Sequence, residues 1–272
     1  MPFPIGLRQQ QETLVAAVCL ALAILPATAA PNIYQRASDK LRYDGCLALA
    51  GQNPAAALGA ANKWAIERGG PPSQHCAAVA LVGLKRYAEG AAKLDELGRA
   101  PGMGALRPSL FDQAGNAWML AGDTGKAITS FQSALALTAN DADIYGDLAR
   151  AQAMQADWVS VESDLNAALA IQPKRGDLLV LRASARHAQN HIADARKDVE
   201  AALALSSRDG EALVERGAIR RDSGDLKGAR LDFQAALETN PGAETADAAR
   251  RNIAALDAAT KMPPVKPALK KK

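Results

Sequence analysis

From Phe111 onward the chain repeats itself every 34 residues. A large side chain recurs at Phe111, Tyr145, Leu179 and Leu213, and a small one follows four places later at Gly115, Ala149, Ala183 and Gly217. A second stripe opens at Ala127, Val161, Ala195 and Ala229 and continues with Phe131, Leu165, Val199 and Phe233. Small residues return at Ala134, Ala168, Ala202 and Ala236, and the units close at Ala139, Pro173, Ser207 and Pro241. Each unit thus carries two apolar stripes at helical spacing, divided by a polar or glycine turn such as Gly122 to Gly125. A single helix pair of this kind cannot bury its apolar face, so neighbouring pairs must stack. Composition agrees: 49% of residues are apolar but only 4% aromatic, so Ala and Leu dominate and helices can approach closely.

The repeat resembles the tetratricopeptide repeat, whose pattern is W-x2-L-G-x2-Y, then A-x3-F, then P. The first unit matches best, through Phe111, Ala114, Gly115, Trp118, Ala127, Phe131 and Ala134. The resemblance implies an all-α fold, a right-handed solenoid of antiparallel helix pairs (a TPR superhelix). Four regular units are expected over 109–242 and two divergent ones over 35–108. In the divergent part, Tyr43 to Ala50 and Pro54 to Arg68 read as one helix pair, with Trp64 on the buried face. Cys76 to Leu84 and a helix from Tyr87 read as the next, after a Gly69-Gly70-Pro71-Pro72 spacer. The Gly/Pro-rich loop from Gly98 to Pro108 shifts the phase before the regular array. Residues 243–260 read as a capping helix, with Ala246, Ala249, Ile253 and Leu256 on one stripe. The basic tail 261–272 is expected to be disordered.

Residues 1–29 read as a cleaved signal peptide. Arg8 precedes an uncharged apolar run from Leu14 to Leu25, Pro26 breaks it, and Ala27-Thr28-Ala29 offers a small-residue cleavage site. The run is shorter than the roughly 20 residues a spanning helix needs. Cys19 lies inside the run behind the bulky Val18, which argues against lipidation. The mature chain is therefore expected to start at Ala30, in a bacterial periplasm or outside the cell, with no integral membrane span left. Two cysteines remain, Cys46 and Cys76. In an oxidising compartment an even pair suggests a disulfide, joining the first helices of the two divergent units; two buried thiols are the alternative.

Chemistry is sparse. His187 and His191 stand four apart, but no cysteine or carboxylate cluster completes a metal site around them. His75 and the serines fall in no catalytic motif, so neither an enzyme nor a cofactor is expected. The net charge of +3 gives no basis for nucleic-acid binding. One polar pattern recurs with the repeat. Asp164, Asp198 and Asp232 lie one period apart, and Arg182 and Arg216 fill the slot held by Leu148 in the second regular unit. These are expected to form ion pairs inside the stack.

The resemblance also implies a binding surface. In the family the first helices line a concave groove, and here that face would carry Asp112, Asn116, Met119, Arg150, Ser184, His187 and Arg221. It lacks the Lys/Asn/Arg set by which chaperone-binding members grip a C-terminal carboxylate. The leading expectation is a scaffold binding a protein or peptide partner; the alternative is a structural subunit of a cell-envelope assembly complex.

Overall fold

The computed structural model describes residues 37–261. The expected signal segment 1–29 and the tail beyond Lys261 lie outside the described residues. The described chain is helical, without strands. Its helices are α1 (Ala37–Gln52), α2 (Pro54–Ile66), α3 (Gly70–Gly83), α4 (Tyr87–Arg99), α5 (Arg107–Ala121), α6 (Thr124–Leu135) and α7 (Ala142–Met154). They continue as α8 (Trp158–Ile171), α9 (Gly176–Ala188), α10 (Ile192–Leu205), α11 (Gly210–Asp222), α12 (Leu226–Glu238) and α13 (Ala243–Lys261). Helices α1 to α8 belong to one compact unit and α9 to α13 to a second, the boundary falling between Pro173 and Lys174.

The regular helices start and reverse where local chemistry dictates. Asp123, Asp141, Asp157, Asp209 and Asp225 are N-caps, each carboxylate accepting a backbone N–H of the first turn. Inside each pair the chain reverses through one left-handed residue: Gly122, Ala156, Asn190 and Gly224, with φ of 79°, 56°, 64° and 87°. These four also lie one repeat apart, so the turn geometry is kept even where Ala156 must adopt a conformation that favours glycine.

Proline placement shifts two boundaries from the sequence expectation. Helix α3 starts at Gly70 rather than near Cys76, because Pro71 and Pro72 sit in its first turn, where a missing N–H costs nothing. Helix α5 likewise opens at Arg107 with Pro108 in its first turn, after a short 3-10 turn at Gly104–Leu106. Cys46 on α1 and Cys76 on α3 form a disulfide with Cα atoms 6.1 Å apart.

Within each regular pair the small residue of the first helix is matched to the large residue of the second. A Cβ on Gly115 would lie 2.5 Å from the Phe131 ring, and one on Gly217 would lie 2.6 Å from the Phe233 ring. Where the second helix carries the smaller Leu165 or Val199, the first helix carries Ala149 or Ala183 instead. All four of these large side chains are completely buried. Gly217→Ala is therefore expected to destabilise the second unit by about 1–3 kcal/mol through overpacking. Adding Phe233→Leu reproduces the natural Ala149/Leu165 combination and should recover most of that loss in urea unfolding. A double variant no more stable than Gly217→Ala would refute the size match.

Candidate functional site

The structure places the seven residues expected on the first-helix face unequally. In the first compact unit Asn116 and Met119 on α5 are buried, at 5% and 6% exposure, so neither is open to a partner. The next first helix, α7, meets α5 at Asn116. The Asn116 amide donates to Asp112 Oδ1 at 3.3 Å and to Asp147 Oδ2 on α7 at 3.2 Å. Arg150 closes the group by donating to Asp147 at 2.8 Å.

The result is a concentration of carboxyl groups. Burial pushes the Asp112 carboxyl well above the usual carboxylate range, and repulsion from Asp147, Asp141 and Asp143 adds to it. Asp147 is also raised by burial, against the pull of Arg150 and of the Asn116 hydrogen bond. Asp143 stands exposed on the first turn of α7.

In the second compact unit the same positions are spent on side-chain bridges. Ser184 donates to Glu215 at 2.8 Å. The two ring nitrogens of His187 face Glu215 at 2.9 Å and Asp222 at 3.1 Å. The hydrogen bond to Glu215 holds the imidazole above its usual range, so the charged form can donate to both carboxylates. Arg221 pairs with Asp222 and reaches Asn252 on α13. His191 lies in the turn before α10, exposed, so the two histidines do not converge. Among the described residues no group of three or more His, Cys, Asp or Glu is placed to hold a metal ion. No described helix is long and apolar enough to cross a membrane.

The partners that sequence reasoning missed, Asp147, Glu215 and Asn252, share one signal. Each lies 31 residues after its donor, Asn116, Ser184 or Arg221. That is one repeat less one helical turn, the offset at which successive first helices meet.

The recurring Arg/Asp pattern forms clasps within pairs. Asp198 accepts both prongs of Arg182, at 2.8 and 2.7 Å, and a third bond from Arg186 at 2.8 Å. Asp232 accepts Arg216 at 3.1 and 2.7 Å and Arg220 at 2.7 Å. The aspartates are buried, at 4% and 3% exposure. Asp164 departs from this pattern: its donor is the Gln152 amide, at 2.8 Å. In the first regular unit the slot is Ser130, which donates instead to Asp95 of α4 at 2.8 Å, as does Trp118 at 2.9 Å.

The sequence matches no family model and no curated protein. The structure does have relatives of known structure. A crystal structure of MamA superposes with a TM-score of 0.54 at 16% identity, covering 60% of this chain and 94% of that one. A MamA fragment from Desulfovibrio magneticus RS-1 gives 0.56 at 18% identity, covering 62% and 94%. YrrB, described as a TPR protein with an unusual peptide-binding site, gives 0.53 at 13% identity, covering 66% and 91%. The chain has the tetratricopeptide-repeat fold.

Proposed function

We propose that the protein is an exported, non-catalytic scaffold that holds a basic segment of a partner protein on its first-helix face. The observation that carries this reading is the cluster of Asp112, Asp141, Asp143 and Asp147, in which burial and mutual repulsion raise the Asp112 carboxyl while Arg150 is bound to Asp147. Buried like charges cost free energy, and a cationic ligand offsets that cost. The fold supports the reading, since stacked helix pairs present an extended surface. YrrB, a structural neighbour, is itself described as having a peptide-binding site. Asn116 and Met119 now serve as supports of this surface rather than as contacts.

The test has two parts. Mass spectrometry of the native protein should find an N-terminus at Ala30; an intact Met1 in pelleted membranes would overturn export. A partner isolated by in-compartment cross-linking should then be titrated against the purified mature protein. Asp143→Lys should weaken that complex at least about ten-fold while leaving the helical circular-dichroism signal intact. An unchanged affinity would remove the first-helix face of α5 and α7 from the interface.

A further inference from the structure

The arginine clasp that closes on Asp198 and on Asp232 is missing at Asp164, and the groove left beside it has the chemistry of the missing group. One repeat before Arg182 stands Leu148, and one repeat before Arg186 stands Gln152. Both are too short or too apolar to replace a guanidinium fork. Between α6, α7 and α8 this leaves a groove of about 370 Å³. Leu135 and Leu148 form its apolar wall, and Gln152, Ser160, Ser163 and Asp164 its polar side.

The polar side holds one unpaired acceptor. Gln152 is 6% exposed and donates its amide N–H to Asp164. Its carbonyl, Oε1, is shielded from solvent and accepts no hydrogen bond among the described residues. An unpaired buried acceptor is costly, and native folds rarely leave one. Beside it Asp164 is half-buried, and burial raises its carboxyl above the usual range, with repulsion from Asp157 adding to the effect. A carboxylate and a carbonyl that share one groove call for a cation with several donors fixed in a plane. Guanidinium has that form, and an ammonium does not. The apolar wall suits the methylene stem that carries it.

We propose that this groove seats an arginine side chain of a bound polypeptide, so that the partner completes in trans the clasp that Asp198 and Asp232 complete in cis. The arginine forks onto Asp164 and satisfies Gln152 Oε1, while its stem lies along Leu135 and Leu148. The proposal rests on the reading of the protein as a scaffold, but the site is separate from the first-helix face of α5 and α7 and can fail without it.

The probe is N-acetyl-arginine amide, titrated into the mature protein and followed by NMR at the Gln152 side-chain amide and the backbone amides of 160–164. N-acetyl-citrulline amide supplies the same shape without charge, and N-acetyl-lysine amide supplies charge without the fork. The expected result is a saturable shift with the arginine probe and binding at least about ten-fold weaker for both controls. Asp164→Asn should abolish the shift. Leu148→Arg places in the chain the arginine that Arg182 and Arg216 already supply, so it should raise the denaturation midpoint and block the probe. Equal binding of citrulline, an undiminished shift in Asp164→Asn, or a Leu148→Arg protein less stable than wild type would each overturn the proposal. Loss of the Asp143→Lys effect on a partner would not touch it.

Discussion

Asp232→Ala is expected to destabilise the second compact unit by about 3–4 kcal/mol. Asp232 is 3% exposed and accepts hydrogen bonds from two arginines, Arg216 and Arg220. Removing it leaves two guanidiniums against a buried surface with their common acceptor gone. Arg216 keeps a contact to Glu200 at 3.3 Å and Arg220 one to Asp225 at 4.0 Å, so solvent and these carboxylates relieve part of the penalty. That relief places the figure at the lower end of what breaking a buried pair costs. The comparison variant is Asp164→Ala. Asp164 accepts one neutral amide bond and is only half-buried, so its removal should cost about 1–2 kcal/mol, chiefly for the stranded Gln152 amide. Urea unfolding of both proteins, followed by circular dichroism, checks the ordering. Adding Arg216→Leu and Arg220→Gln to Asp232→Ala removes the stranded charges and should restore stability in part. Equal losses for Asp232→Ala and Asp164→Ala would show that the clasp is a passenger of the fold.

The fold was legible in the sequence because each repeat makes the same local statement. Phe, Tyr or Leu at one slot and Gly or Ala four places on define a packing surface in one unit. Three further copies confirm it. The two stripes of each unit fall on α5 to α12 in turn. The helix starts near Gly70 and Arg107 were harder, since a proline reads as a breaker unless it is known to fall in a first turn. The left-handed turns at Ala156 and Asn190 were invisible for a related reason: only Gly122 and Gly224 announce the conformation by residue type.

The candidate site was less legible, and the reason is geometric. Helical spacing assigns residues to a face, but it does not say how much of that face the next helix covers. Asn116 and Met119 are buried, and Asn116 is bonded to Asp147 of α7. Ser184, His187 and Arg221 are tied to Glu215, Asp222 and Asn252. The Arg/Asp pattern was visible as repetition, and the structure adds that each clasp closes inside one helix pair. The groove beside Asp164 needed both kinds of information. The sequence shows that Leu148 and Gln152 replace two arginines, and the structure shows that the space stays open with an unsatisfied carbonyl inside it.

Reduction of the Cys46–Cys76 bond is expected to destabilise the N-terminal helix pairs by about 3–4 kcal/mol, the loop-closure value for a separation of 30 residues. The bond lies where repeat packing has least to offer. Around it are Ala61 and Ala77, both small, with Leu47 and Leu58 only partly buried. Besides a small apolar cluster of Ala50, Ala57, Val79 and Ala80, a polar chain ties α1 to α3. The Tyr43 hydroxyl donates to His75 Nδ1, and His75 Nε2 donates to Gln113 Oε1 on α5 at 2.9 Å. Burial pulls the His75 pKa down, which keeps the ring neutral and able to accept from Tyr43. That chain survives reduction but buries little apolar surface, so it cannot replace the crosslink. Because stacked repeats unfold locally, the loss should be confined to one end. Hydrogen exchange in α1 and α2 should accelerate on reduction, or in Cys46→Ser, while amides of α11 and α12 keep their protection. Thiol labelling of the mature protein, unfolded without reductant, should find no free thiol. Two free thiols per chain would end the prediction, and so would exchange that rises uniformly from α1 to α12.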